Sequence, residues 1–194
     1  MTSNINFIFV ASDIESLPTE SVPEIAFAGR SNVGKSSLIN LLINNKKLSA
    51  RVSSKPGCTR QINFYSMYND KFRLVDLPGY GYSYASSEET TKYLNLSECY
   101  LAQRRSLRRV FVLVDSRVGL KEIDKDFVYW LIYNNVNFDI VLTKVDKVNR
   151  ESLGSILERT QKWINNENVS IHQISTRVKC KITRVRDEFF KFAK

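Results

Sequence analysis

Gly29-Arg30-Ser31-Asn32-Val33-Gly34-Lys35-Ser36 decides how the rest of the chain is read. It carries the glycines, lysine and serine of a phosphate-binding loop, and its flanks supply the context such a loop requires. Ile25-Ala26-Phe27-Ala28 is a short apolar run that reads as a buried strand, and Ser37-Leu38-Ile39-Asn40-Leu41-Leu42-Ile43 continues as a helix. Gly29 and Gly34 permit backbone conformations closed to other residues. Successive N–H groups can then turn inward around phosphate at the positive end of the helix. In this reading Lys35 reaches the β- and γ-phosphates and the Ser36 hydroxyl coordinates magnesium. Alone, the octapeptide could be a surface turn; two motifs downstream argue otherwise.

The first is Asp76-Leu77-Pro78-Gly79, which follows the strand-like run Phe72-Arg73-Leu74-Val75. A carboxylate at a strand end beside a phosphate loop suits a magnesium shell, through water. The Gly79 N–H can meet a γ-phosphate, a contact that exists only with triphosphate bound, so the segment after it is a natural switch. The second is Thr143-Lys144-Val145-Asp146, after the strand-like Phe138-Asp139-Ile140-Val141-Leu142. The Asp146 carboxylate can accept from both N1–H and the exocyclic amine of guanine, whereas adenine presents the wrong pattern. The Lys144 stem can lie over the base plane. Many guanine switches have Asn where Thr143 stands.

Alternating strand and helix patterns run the length of the chain. Strands are expected near 5–11, 24–29, 61–68, 71–76, 109–115, 137–143 and 169–175, and helices near 35–45, 88–105, 121–133, 149–165 and 179–192. Three helical faces carry the last three helices: Ile123, Phe127, Trp130 and Leu131; Leu153, Ile156, Leu157 and Ile164; and Ile182, Val185 and Phe189. This alternation implies a single α/β domain with a mostly parallel sheet covered by helices on both faces. The hairpin-like pair 61–68 and 71–76, separated by Asn69-Asp70, adds an antiparallel edge strand. All three motifs fall at the carboxyl ends of strands, where such sheets bind ligands. Two long loops, 46–60 and 77–90, point to function or mobility. Thr59, between the phosphate loop and Asp76, is the candidate to bind magnesium and γ-phosphate from the first of them.

At 194 residues, with 43% hydrophobic and 25% charged residues, the chain can bury a proper core. No apolar run reaches membrane-spanning length, and the N-terminal residues do not read as a signal peptide. Cys58, Cys99 and Cys180 are few and widely spaced, which argues against a disulfide framework or zinc site and for a reducing, cytoplasmic compartment. His172, the one histidine, reads as structural. The net charge of +9 favours an acidic partner such as nucleic acid. Basic residues gather at Arg104, Arg105, Arg108 and Arg109, and again from Arg177 through Lys179, Lys181, Arg184 and Arg186. The alternative is a solvated basic surface.

The chain resembles the EngB-type GTPases, small bacterial relatives of the Era group, over nearly its whole length. The residues that carry the likeness are Pro23 through Asn40, Pro56-Gly57-Cys58-Thr59, Ile62-Asn63-Phe64 and Asp76-Leu77-Pro78-Gly79-Tyr80-Gly81-Tyr82. That family's guanine motif also begins with Thr, as at Thr143. The resemblance implies a Ras-like fold, GTP or GDP with Mg2+, a role in assembling the large ribosomal subunit, and a link to normal cell division and septation. The basic surface is compatible with ribosomal RNA of the large subunit as partner, and a monomer with no stable membrane association is expected. The resemblance carries nucleotide contacts onto residues 29–37, Ser37 included, onto Pro56-Gly57-Cys58-Thr59, Asp76–Gly79 and Thr143–Asp146, and onto Ile174-Ser175-Thr176, whose backbone would touch the guanine carbonyl. Lys35, Thr59 and Gly79 take the catalytic positions, and Ser36, Thr59 and Asp76 the metal. Two positions depart from the family pattern: Cys58 stands where a basic residue is common, and Lys181 where a glycine is usual.

Tyr80 occupies the place of the water-orienting Gln of many guanine switches, and it cannot do that work. Slow intrinsic hydrolysis, accelerated by a partner or a cation, is therefore expected. Relatives with Asn at position 32 can bind K+ near the phosphates, where a cation acts as an arginine finger does; alternatively Asn32 only fixes the loop. Two rivals stay open on sequence alone: a nucleotide-controlled binding module without useful turnover, and a small-molecule P-loop kinase, which Asp146 disfavours.

Overall fold

The computed structural model describes residues 5–43, 61–80, 88–175 and 182–193. Among these residues seven strands form one sheet: β1 (Ile5–Ala11), β2 (Glu24–Gly29), β3 (Ile62–Met67), β4 (Phe72–Asp76), β5 (Leu107–Asp115), β6 (Phe138–Thr143) and β7 (Ile171–Gln173), in the order β1-β3-β4-β2-β5-β6-β7. From β4 to β7 every pairing is parallel. β3 runs antiparallel to β4, as the hairpin pattern predicts, and β1 adds a second antiparallel pairing on the outer side of β3. The hairpin turn is tight: Tyr68, Asn69 and Asp70 all have positive φ (52°, 59° and 60°).

The helices are α1 (Lys35–Ile43), α2 (Glu88–Gln103), α3 (Glu122–Tyr133), α4 (Arg150–Ile164) and α5 (Ile182–Phe190). Their ends have local causes. The Asn149 side chain accepts from Ser152 N at 2.8 Å and starts α4; Asn165, left-handed at φ 43°, ends it. Leu107 extends β5 two residues earlier than expected, and β7 keeps only three of the seven residues expected near 169–175.

β2 is buried along its whole length, as a central parallel strand covered on both faces must be. Its side chains alternate between two cores. Ala26 and Ala28 join Phe64, Val112, Val128, Leu131 and Ile140 on one face. Ile25 and Phe27 join Leu38, Ile39, Leu42, Phe111 and Phe189 on the other. There Phe111 stacks on Phe27 at 5.6 Å and meets Phe189 edge-on at 4.2 Å, which fixes α5 to the sheet.

The expected basic cluster at 104–109 is only half a surface feature. Arg104 Nη2 donates to Glu24 Oε1 at 2.6 Å and Nε to Oε2 at 2.9 Å, while the Tyr100 hydroxyl donates to the same fully buried carboxylate at 3.0 Å. Arg109 Nη1 donates to buried Asp139 at 2.6 Å. Only Arg105 and Arg108 of this group are exposed. Arg186 donates to the Leu42 carbonyl at 2.9 and 2.8 Å, satisfying the end of α1. The rest of the second basic group lies outside the described residues or has no described side chain. The apolar face of α5 is likewise seen only at Phe189.

Candidate functional site

The phosphate loop leaves β2 at a place where nothing larger than glycine fits. A Cβ on Gly29 would lie 2.9 Å from Val33 Cγ1 and 3.0 Å from the Leu113 carbonyl. Asn32 and Gly34 both have positive φ, 62° and 109°. Val33 is buried beneath the loop, while Ser31 and Ser36 are half-buried and Asn32 and Ser37 exposed. Lys35 opens α1 with its side chain buried, and its ammonium donates to Asp76 Oδ1. That carboxylate is placed by register: Asp76 ends β4 opposite Phe27 of β2.

Chain direction then carries the Asp76 motif across the loop. Leu77 N donates to Phe27 O at 3.1 Å, and Arg30 and Tyr80 form an isolated parallel bridge. A Cβ on Gly79 would stand 3.1 Å from Ser31 Oγ and 3.3 Å from Ser31 N. Gly79 thus rests close against the phosphate loop, where a side chain would fit only if the loop or the motif gave way by a few tenths of an ångström.

The Tyr80 side chain packs on α3. Its hydroxyl donates to Asp124 Oδ1 at 3.0 Å, and its ring stacks on Phe127 of α3 at 4.5 Å. Burial first, and then the Asp124 charge, raise the phenol well above its ordinary pKa, so it stays protonated and keeps donating. The Arg30 guanidinium joins the same carboxylate: Nε lies 3.1 Å from both oxygens. Lys121 N donates to Asp124 at 2.9 Å, starting α3. Sequence reading missed Asp124 altogether. Its one signal was a capping position three residues after Lys121; its partners lie 94 and 44 residues away.

The Thr143–Asp146 segment is fastened to the same loop. Thr143 Oγ1, at the end of β6, donates to Val33 O at 2.6 Å, with Val114 O at 3.3 Å. This is what the Thr does in place of the commoner Asn. Lys144 is left-handed (φ 57°), and its ammonium donates to Asn32 O at 2.7 Å and to Asp115 Oδ2 at 2.8 Å. Asp146 lies in the following short 3-10 turn, Val145–Lys147, and its Oδ1 accepts from Ser175 Oγ at 2.7 Å. Ile174 N donates to Leu142 O at 2.8 Å, bringing the end of β7 beside that turn.

The structure therefore gathers residues 29–37, Asp76–Gly79, Thr143–Asp146 and Ile174–Ser175 at one end of the sheet. Pro56, Gly57, Cys58, Thr59, Thr176 and Lys181 lie outside the described residues. No described helix is long and apolar enough to cross a membrane.

Comparisons with known proteins agree with this geometry. Residues 24–144 match the family described as "50S ribosome-binding GTPase". The chain is 79% identical to the probable GTP-binding protein EngB of Wolbachia pipientis wMel, over all of this chain and 98% of that one. It is 50% identical to the probable EngB of Ehrlichia chaffeensis, over 92% of this chain and 88% of that one. Among solved structures, a probable GTP-binding protein engB superposes with a TM-score of 0.68 at 23% identity, covering 88% of this chain and 98% of that one. Era in complex with MgGDPNP and part of 16S ribosomal RNA superposes with a TM-score of 0.67 at 19% identity, over 89% of this chain and 57% of that one. The family match and full-length identity together show that the chain belongs to the EngB-type P-loop GTPases.

Proposed function

We propose that this protein binds GTP with Mg2+, hydrolyses it slowly to GDP, and uses the difference as a switch in assembly of the large ribosomal subunit. The observation that carries the switch is Gly79: its backbone lies against Ser31, and a Cβ there would come within 3.3 Å of Ser31 N. A terminal phosphate in this loop thus has Gly79 as a neighbour, and its loss on hydrolysis removes that contact. The ribosomal partner is supported by the family description alone; exposed Arg105 and Arg108 are compatible with RNA. A cytoplasmic monomer linked to cell division and septation completes the reading.

The donor chemistry fits magnesium. Ser36 and Asp76 offer a hydroxyl and a buried carboxylate, hard oxygen ligands that leave positions for water and phosphate. Bound there, the ion would neutralise charge on the phosphate oxygens. The protein's own work is positioning. Lys35 exchanges Asp76 for phosphate oxygens, loop N–H groups hold the phosphates, and Asp146 accepts from guanine. Tyr80, held by Asp124, offers no group to orient the attacking water, which is why turnover is expected to be slow. K+ beside Asn32 would supply the missing charge; equal turnover in sodium and potassium salts would rule it out.

Co-sedimentation with ribosomal subunits tests the switch. Binding to the large subunit with a non-hydrolysable GTP analogue, and release in GDP, is the expected result. Binding indifferent to nucleotide would overturn it.

A further inference from the structure

Asp115 has no part in the three nucleotide motifs, yet it is among the most heavily engaged side chains at this end of the sheet. It ends β5 in register with Thr143 of β6 and is only 7% exposed. Its Oδ1 accepts from the Arg117 backbone N and Nε, each at 3.0 Å. Its Oδ2 accepts from Arg117 Nη2 at 2.7 Å and Lys144 Nζ at 2.8 Å. Burial opposes its ionisation, but the bonds from Arg117 and Lys144 outweigh burial and hold the carboxyl far below the usual range.

Lys144 is held at three places. Its backbone is left-handed, and its ammonium is fixed between Asn32 O of the phosphate loop and Asp115 of β5. A lysine stem is otherwise among the most mobile of side chains. Of the two ties on the ammonium, Asn32 O is a neutral carbonyl in a loop, whereas Asp115 is a charged acceptor on a buried strand end. Charge-assisted bonds are the stronger kind. Arg117, half-exposed, neutralises the rest of the carboxylate and keeps it from swinging away.

We propose that Asp115 is a positioning residue for nucleotide binding: it holds Lys144 extended, so that the Lys144 stem forms a ready-made platform for the base. The inference rests on the reading of this site as a guanine-nucleotide site. A platform ordered in advance need not be frozen when the base arrives, and that raises affinity chiefly by slowing release. Base choice, by contrast, stays with Asp146.

The test is the dissociation rate of a fluorescent GDP from wild type, Asp115→Asn, Lys144→Ala, Arg117→Ala and the double variant Asp115→Asn/Lys144→Ala. Asn keeps the size and one acceptor but removes the charge. Release from Asp115→Asn is expected to quicken roughly tenfold, with Lys144→Ala at least as fast and the double variant no faster than Lys144→Ala alone. Arg117→Ala should quicken release less than Asp115→Asn. The preference for GDP over IDP, which lacks the exocyclic amine, should be unchanged in Asp115→Asn. Additive effects in the double variant would show that Asp115 does not act through Lys144, and an Arg117→Ala effect equal to Asp115→Asn would assign its role to Arg117. Either would overturn the proposal, as would unchanged release from Asp115→Asn while wild type binds GDP normally. Failure of wild type to bind GDP would remove the underlying site reading as well.

Discussion

The base end and the phosphate end of the site are built from the same loop but held in different ways. At the base end, Thr143 and Lys144 reach back to Val33 O and Asn32 O, and Asp146 meets Ser175. The hydroxyl of Thr143 and the ammonium of Lys144 are tied to backbone carbonyls, and Lys144 to Asp115 as well, so the proposed platform is formed in advance. At the phosphate end the ties run between side chains, the proposed phosphate ligand Lys35 among them. Lys35 is bonded to Asp76, and Tyr80 and Arg30 share Asp124. The difference teaches that a platform for the base can be built into strand ends, whereas in the proposed reading Lys35 must exchange Asp76 for phosphate.

Removing an exchanging contact should have the largest effect. Lys35→Ala leaves Asp76 buried without its cation and takes away the phosphate ligand. Single-turnover GTP hydrolysis should fall roughly 10²- to 10³-fold. Gly79→Ala comes next. Its methyl group would meet Ser31 Oγ at 3.1 Å and Ser31 N at 3.3 Å, so the loop and the motif must move apart by a few tenths of an ångström. Affinity for a GTP analogue should drop roughly tenfold, with GDP affinity changed much less. Equal losses for both nucleotides would erase the proposed distinction between the two ends.

Asp124→Asn tests the other half of the phosphate end. It leaves Arg30 with a neutral partner and weakens the Tyr80 bond. A cost of about 1–3 kcal/mol in unfolding free energy is expected from denaturant titration. Tyr80→Phe removes only the hydroxyl and should cost about 1 kcal/mol.

How much of this was legible in the sequence depended on distance along the chain. The phosphate loop, Asp76–Gly79 and Thr143–Asp146 were visible because each motif is contiguous and sits between a strand pattern and its successor. Asp124 and Asp115 were not. Asp124 lies on a helix face read as apolar from Ile123, Phe127 and Leu131, and its meaning comes from Arg30 and Tyr80. Asp115 looks like a strand end until Lys144 folds onto it. Arg104 and Arg109 were misread for the same reason. A run of arginines signals a basic surface, and nothing local reveals that Glu24 and Asp139 wait 80 and 30 residues away.

The smallest expected effect concerns His172, which lies outside both ends but anchors β7, the strand that delivers Ser175. Its ring nitrogens meet Asp139 Oδ2 at 2.9 Å and Glu188 Oε1 at 2.6 Å. Burial lowers its pKa, but the two carboxylates prevail and the folded value is raised above 6.5. The protonated ring thus contributes stability that is fully present below the unfolded pKa and is lost as pH rises through the folded one. The melting temperature of wild type should decline relative to His172→Gln as pH is raised from about 6 upward; a constant difference would show that its charge has no role.

The central claim is that a base end held in place selects guanine nucleotide through Asp146. Displacement of fluorescent GDP by unlabelled GDP, GTP and ATP, in wild type and in Asp146→Asn, tests it most directly. Displacement of wild-type ligand by GDP and GTP but not by ATP, with guanine affinity reduced at least roughly a hundredfold in Asp146→Asn, is the predicted result. Effective displacement by ATP, or an Asp146→Asn protein that still prefers guanine, would contradict it.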